Sequence, residues 1–575
     1  MNEIGQVWVS GTKSLNNTQP VPFWRLKPPE DKDKFEWKEK AYRKYLEHIC
    51  ETNGTKIIEE ISYNHKMTYF IGRGNNSYLV KQALKRRFWW TNGSRDDEWD
   101  EFNFIWTQWR RKPIIKSLKQ HKDCTSQTNI ASVNMKNSNS KTNKESTIWL
   151  TDCTPNDSSS DVDKKGSSLS IERKLTPSVS SGLKNRSKSS QSKIYDQTLY
   201  NHMECNYHLS NKKALYYNMK AFCEWKGEDV FDYLPQTFHI KEGLRDSEFI
   251  RFEKYYNQLQ KQIDSEESEV TIDNTWIVKP GENTNRGSGI QFWKELHQIK
   301  DIVSKWVYLP NGKNRTYIIQ KYLDNPFLYN KRKFDIRWYL LITTTNGNLQ
   351  AYWCKEGYMR TASKEFSTKN YSRYVHLTND AVQKHWDDYS KYENGNKLSY
   401  PNFQRYLTKA HPDLKCNFAK DVVPKLKMIA LKGVQSVFKR IDPMKRQYTF
   451  ELFGLDFILD ENLRPYLLEM NTNPWLELSS TYLSYLIPLI IESLVQVAVD
   501  PLIPPPSTWP KSKKHQIPEP TEIFELIFNE RTDSNEFKSL PGPQSAVCDI
   551  IAEEDVEEDR VSEFDDSDGS DDSND

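Results

Sequence analysis

The chain has 575 residues, with 81 Lys and Arg against 79 Asp and Glu, for a formal net charge of +2. That length supports more than one domain and a substantial core, and the balanced total argues against a uniformly basic nucleic-acid binder. Eight cysteines (Cys50, Cys124, Cys153, Cys205, Cys223, Cys354, Cys416 and Cys548) are scattered without a CxxC pair, so we expect neither a zinc site nor a disulfide framework, as suits a reducing cytosol.

Met1 to Gly5 lacks the apolar core of a signal peptide. Residues 1–60 read as a polar N-terminal extension with a helix near Trp37 to Ile57. Residues 61–116 read as an N-terminal α/β subdomain: a strand and helix over Lys66 to Arg87, the apolar mass of Phe88, Trp89 and Trp90, and a strand near Phe102 to Trp109. The stretch from Trp109 to Lys122 is basic. Residues 117–193, rich in Ser, Asn, Lys and Thr, hold too few large apolar groups to offset ordering entropy, and we expect a disordered insertion. Order is expected again near Tyr195. Residues 194–270 read as a central subdomain, with a helix from Ser210 into Trp225 and a turn and strand over Val230 to Ile240.

Residues 271–500 alternate strand and helix patterns and carry most of the chemistry. Thr275 to Pro280 is a strand ending in Lys279, followed by a glycine-rich turn through Gly281, Gly287 and Gly289 that includes Arg286. Such a turn lets backbone N–H groups approach phosphate oxygens, although most glycine-rich turns are only turns. No Gly-Lys-Ser/Thr follows, so this is not a Walker A loop. Tyr317 to Leu323 is a strand ending in the polar groups of Gln320 and Lys321. Lys333, Asp335 and Arg337 alternate with apolar residues and share one strand face, which an exposed edge strand would also explain. His376-Leu377-Thr378-Asn379 reads as a strand whose histidine is a hydrogen-bonded core residue rather than a general base. The stripe Trp338, Tyr339, Tyr352 and Trp353 reads as core.

Phe453 to Phe457 and Tyr466 to Asn471 form a strand pair carrying Asp456, Glu469 and Asn471. Glu469 and Asn471 are two apart and share a face, so with Asp456 they offer oxygen ligands to a hard cation such as Mg²⁺; a hairpin whose carboxylates face water is the plain alternative. Leu483 to Val499 is apolar but interrupted by Pro488 and Glu492, and reads as a buried helix rather than a membrane span. Pro501 and Pro504 to Pro506 end the compact region. Residues 501–575 then read as a Pro-rich and finally acidic disordered tail, with Arg560 the one basic residue from Ala552 to Asp575.

Taken in order, Trp276-Ile277-Val278-Lys279, Gln320-Lys321-Tyr322-Leu323, Lys333-Phe334-Asp335-Ile336-Arg337, Glu356-Gly357-Tyr358-Met359-Arg360, His376-Leu377-Thr378-Asn379, Phe453-Gly454-Leu455-Asp456-Phe457 and Leu468-Glu469-Met470-Asn471 resemble the tubulin–tyrosine ligase-like family. The resemblance runs from about Asn201 to about Pro501 and is weaker over Tyr69 to Trp90. It implies an α/β (α+β) ATP-grasp fold and a carboxylate–amine ligase that activates a carboxylate as an acyl phosphate, using ATP and Mg²⁺. It further implies that Lys212, Lys279, Arg286, Gln320, Lys321, Leu323, Asp335, Thr378 and Asn379 serve the nucleotide, and that Lys333, Arg337 and Arg360 serve the reacting carboxylate. Asp456, Glu469 and Asn471 would hold the metal.

The implied partners are the acidic tails of tubulin or microtubules and a free glycine, glutamate or tyrosine, with no nucleic acid or membrane. The implied place is the cytoplasm and cytoskeleton, with cilia or flagella by resemblance alone. The donor is not fixed: Lys384 to Leu407 resembles the tyrosine enzyme, Trp276 to Gly281 resembles the glycylases, and Asn471 to Trp475 matches no group closely. Chain-forming glycylation or glutamylation is favoured because of the added N- and C-terminal segments. The alternatives are a catalytically inactive microtubule-binding relative and a ligase for a small-molecule acceptor.

Overall fold

A computed structural model of the chain describes residues 66–120, 197–505 and 523–540, apart from 75–76, 94–98, 266–272, 282–289, 306, 310–311, 313 and 371. The helix expected near Trp37, the insertion beyond residue 120, Arg286 and the acidic run from Ala552 lie outside the described residues.

Strands β1 (Met67–Ile71), β2 (Trp90–Asn92), β3 (Phe104–Trp106) and β4 (Leu199–Tyr200) pair in parallel in the order β4-β3-β1-β2. A second, smaller sheet is antiparallel, with β5 (Thr237–Ile240), β6 (Trp276–Pro280), β7 (Gln291–Trp293) and β8 (Tyr317–Lys321) in the order β5-β8-β6-β7. The remaining strands are β9 (Arg332–Thr345), β10 (Asn348–Cys354), β11 (Tyr358–Glu365), β12 (Lys397–Ser399), β13 (Tyr448–Leu459), β14 (Pro465–Asn471) and β15 (Phe524–Asn529). They join β1 to β4 in one eleven-stranded sheet, ordered β12-β11-β9-β13-β4-β3-β1-β2, with β14 beside β13, β10 beside β9 and β15 beside β10.

β9 is the spine. All 14 of its residues are buried, because it is flanked by β13 along one edge and by β11 and then β10 along the other. Trp338 and Trp353 stack across β9 and β10 with ring centroids 5.4 Å apart, which places that aromatic stripe in the core.

Five helices pack into the cores behind these sheets. α1 (Ser77–Lys85) follows β1, and α2 (Lys212–Lys226) follows β4. The Asn211 side chain caps α2 by accepting from the N–H groups of Lys213 and Ala214, and Gly227 ends it at φ 72°, a left-handed cap that glycine adopts without strain. α3 (Ser247–Asp264) and α4 (Leu296–Val303) cover one face of the smaller sheet: Phe249 and Phe252, with Ile299 and Val303, pack on Phe238, Trp276, Val278 and Ile319. Strand alternation therefore turns Thr237, Gln320, Ile318 and Lys279 to the uncovered face. α5 (Val423–Val437) buries Leu426, Ile429, Ala430 and Val434 beneath the large sheet.

A sixth helix, α6 (Thr481–Ala498), is long and apolar enough to cross a membrane, yet 78% of it is buried inside the protein. Its Glu492 meets the buried guanidinium of Arg87 at 2.8 Å, and Arg87 also meets Asp500 at 2.7 Å. It is a core helix here, as its interrupted sequence suggested.

Three expectations are revised. The boundaries expected at 116 and 270 do not divide the large sheet, which takes strands from both sides of them. The compact region does not stop at the proline cluster, since β15 pairs with β10 and buries Phe524 and Phe528. His376 to Asn379 is not a strand: His376 closes a short helix, Arg373–His376, and Asn379 precedes another, Asp380–Gln383. The pattern misled because its apolar residues at Val375 and Leu377 suit a strand and a helix end alike.

Candidate active site

The expected strand pair forms, and its register brings the three oxygen-bearing side chains together. Asp456 on β13 lies directly opposite Glu469 on β14, with Asn471 opposite Gly454. The Asn471 amide nitrogen is 3.1 Å from Glu469 Oε1 and 3.5 Å from Asp456 Oδ2. Two carboxylates and one carboxamide are the oxygen donors a small divalent cation takes, and a half-turn of the Asn471 amide presents its oxygen to the same point. No group of three His, Cys, Asp or Glu placed to hold a metal ion occurs among the described residues; the third donor of this set is an amide. These residues suit Mg²⁺.

The charged residues of β9 join this centre by register. One row across the sheet reads Tyr358 (β11), Arg337 (β9), Asp456 (β13) and Glu469 (β14), and the next reads Lys397 (β12), Arg360 (β11) and Asp335 (β9). Arg337 grips Asp456 with Nε at 2.5 Å and Nη2 at 3.1 Å. Arg360 grips Asp335 at 2.6 and 2.8 Å and reaches across to Asp456 at 2.8 Å. Burial raises the Asp456 pKa, but the two guanidiniums outweigh it and hold the carboxyl well below its usual range. Gly454 makes room for this: a Cβ there would sit 2.8 Å from Pro474 Cβ and 3.3 Å from Arg337 Nη1. Among the described residues Nη1 of Arg337 and of Arg360 have no hydrogen-bond partner. Two planar donors are therefore left for an incoming carboxylate or phosphoryl oxygen.

Opposite lies a cleft of about 360 Å³, part of it open to solvent, lined by Lys212 at the start of α2, by Thr237, Lys279, Ile318 and Gln320 of the smaller sheet, and by Leu467 of β14. Lys279 Nζ donates to Gln320 Oε1 at 2.8 Å, and Gln320 donates to Thr237 at 3.0 Å. Burial, with help from the neighbouring Lys212 charge and against the pull of Glu469, lowers Lys279 to about 8. Lys212 lies 3.8 Å from Glu469 Oε2, while its neighbour Lys213 is buried, so Lys212 is the one that faces the cleft.

Lys333 is buried and lowered to about 7, chiefly by burial, with Asp335 and Asp324 pulling it up and Lys279 pushing it down. Thr378 donates to Asp335, so both belong to the Arg360 network. Asn379 is half-buried, with its side-chain amide unbonded among the described residues.

Lys321 departs from expectation. It stands opposite Trp276 on the covered face of the smaller sheet, where its ammonium meets Asp324 and the backbone oxygens of Asp273 and Tyr322. Strand alternation sends Gln320 into the cleft and therefore Lys321 out of it. Leu323, just past β8, is half-buried, and its backbone N–H has no partner among the described residues, which leaves a donor for a base edge. The sequence also gave no reason to single out Tyr322, whose hydroxyl carries Lys333.

Residues 188–506, more than half of the chain, match the model of the tubulin-tyrosine ligase family. The chain belongs to that family. Similar members of the tubulin-tyrosine ligase family include tubulin glycylase 3B of Drosophila melanogaster, 32% identical over 40% of this chain and 29% of the relative. A probable alpha-tubulin polyglutamylase, Ttll1 of Tetrahymena thermophila, is 27% identical over 53% of this chain and 73% of the relative. A probable tubulin polyglutamylase, ttll-9 of Caenorhabditis elegans, is 30% identical over 50% of this chain and 64% of the relative. The chain thus spans under a third of the length of that glycylase and about three quarters of the Tetrahymena polyglutamylase.

Proposed function

We propose that this chain is an ATP-dependent ligase that joins the amine of a free amino acid to a carboxylate on tubulin tails, glycylation or glutamylation being favoured over tyrosination. The observation that carries the reading is a cleft lined by Lys279 and Lys212 whose edge, 3.8 Å from Lys212, carries Glu469 with its neighbours Asn471 and Asp456. The relatives named as glycylases and polyglutamylases support the tubulin acceptor and the favoured donors.

A carboxylate does not react with an amine at neutral pH, so its oxygen must first become a leaving group. In the proposed reaction the acceptor oxygen attacks the γ-phosphorus of ATP, and ADP departs. The amine then attacks the acyl carbon, phosphate departs, and the amine loses a proton. Lys212 and Lys279 place positive charge at the polyphosphate, and Gln320 with the Leu323 N–H meets the base. Lys333 faces the transferring group, while the free Nη1 donors of Arg337 and Arg360 orient the acceptor carboxylate and stabilise charge as it develops. Asp456, Glu469 and Asn471 would hold a divalent ion, which when bound neutralises phosphate charge.

Intact-mass measurement of tubulin after incubation with the protein, ATP, Mg²⁺ and glycine, glutamate or tyrosine tests the reading. We expect ATP-dependent increments of one or more glycine or glutamate residues. A product found only on a small molecule, or no product with any donor, would overturn it in favour of a metabolite ligase or an inactive microtubule-binding relative.

A further inference from the structure

Lys333 makes one hydrogen bond among the described residues: its Nζ donates to Tyr322 Oη at 2.8 Å, with the ammonium 4.3 Å from the ring centroid. The same hydroxyl is 2.7 Å from His376 Nδ1, and His376 Nε2 meets the backbone oxygen of Asn370. Chemistry fixes the directions. A backbone oxygen only accepts, so Nε2 carries the ring proton and Nδ1 is the lone pair that accepts from the Tyr322 O–H. That leaves the tyrosine lone pairs for Lys333. Burial, against the Asn370 bond, lowers His376 to about 4, so the ring is neutral in the physiological range and the relay keeps one polarity.

Tyr322 and His376 are packed as a unit. Phe292 of β7 contacts Tyr322 at 5.4 Å and His376 at 5.1 Å, and Phe366 closes on His376 at 5.8 Å. β7 pairs with β6, the strand that carries Lys279, so this aromatic cluster connects that strand pair to Lys333. The charged and titratable groups around Lys333 are Asp335 on its own strand, Asp324 beyond β8, Lys279 on β6, and the Tyr322–His376 pair.

We propose that Tyr322, oriented by His376, is a positioning residue that fixes the Lys333 ammonium toward the transferring phosphate and keeps it charged there. The proposal rests on the ligase reading above. Without the tyrosine oxygen, a buried ammonium has no acceptor, its charged form is penalised, and the pH range over which it serves contracts from above.

The test compares wild type with Tyr322→Phe and His376→Phe, both of which keep ring packing. Two quantities are followed from pH 6.5 to 9: kcat/KM for ATP in tubulin modification, and affinity for a non-hydrolysable ATP analogue with Mg²⁺. In Tyr322→Phe the high-pH limb is expected to move down by about one unit, a loss of about tenfold at pH 8 that shrinks to about threefold at pH 6.5. His376→Phe is expected to move it in the same direction by less. A limb that stays in place in Tyr322→Phe, with the rate merely scaled at every pH, would show a packing role and overturn the proposal. A wild type that binds the analogue but modifies nothing would defeat the ligase reading instead, and the pH profile of analogue affinity would still decide the role of Tyr322. A wild type that binds no analogue would defeat both.

Discussion

Asp456 shows how one side chain can serve both structure and chemistry. It is gripped by Arg337 and Arg360 inside the sheet and also lies in register with Glu469 in the proposed metal triad. Removing its charge leaves two buried guanidiniums under-compensated, so Asp456→Asn is expected to cost about 3–5 kcal/mol, measured by denaturant unfolding. The lysines give a pH prediction. Lys279 at about 8 and Lys333 at about 7 both lie below the ordinary lysine value because burial penalises their charge. Polyphosphate binding restores that charge, so nucleotide binding above about pH 7.5 should take up protons and weaken as pH rises. Calorimetry in buffers of different ionisation enthalpy should show uptake of about one to two protons near pH 8.5. The linked effect on folding runs the other way. Groups depressed in the folded state bind protons more readily when unfolded, so the nucleotide-free protein gains stability from them as pH climbs from about 7 toward 10.5. At this scale the candidate ligands were legible because their residue types and two-residue spacing are local. Tyr322 and the outward turn of Lys321 were not, because they depend on which sheet face α3 and α4 cover.

The β13–β14 pair and β15 make the case at the scale of elements. Gly454 lets β13 approach both Pro474 and the Arg337 guanidinium. Gly454→Ala is expected to cost about 1–3 kcal/mol and to lower ligase activity more than that loss of stability explains, since it displaces Arg337 from Asp456; unfolding and rate measurements on one preparation would check this. β15 was missed because the prolines before it read as the end of the fold, and a six-residue strand has little periodicity of its own. Its weight comes from partners far away in sequence: Phe528 packs on Phe438 at 5.2 Å and on Phe537 at 6.4 Å. Phe528→Ala is accordingly expected to destabilise by about 3–5 kcal/mol, seen as a lowered thermal midpoint with Mg²⁺-nucleotide binding retained at low temperature.

At the scale of the whole molecule, β6, β8, β9, β13 and β14 could be read from pattern, but the shorter strands between them and the assembly with β1 to β4 could not. β4 contributes only Leu199 and Tyr200, yet it links β3 to β13 and so makes one sheet of the N-terminal and central segments. Two residues carry no periodic signal; long-range pairing alone defines them. The result is one large sheet whose β14 lines a cleft with the uncovered face of the smaller sheet, which we propose holds the nucleotide. The most direct test of that geometry is the affinity of wild type and Glu469→Gln for a non-hydrolysable ATP analogue, measured with and without Mg²⁺. The account predicts that Mg²⁺ tightens binding to wild type by about tenfold or more, with most of that gain lost in Glu469→Gln. An equal Mg²⁺ effect in both proteins would contradict it.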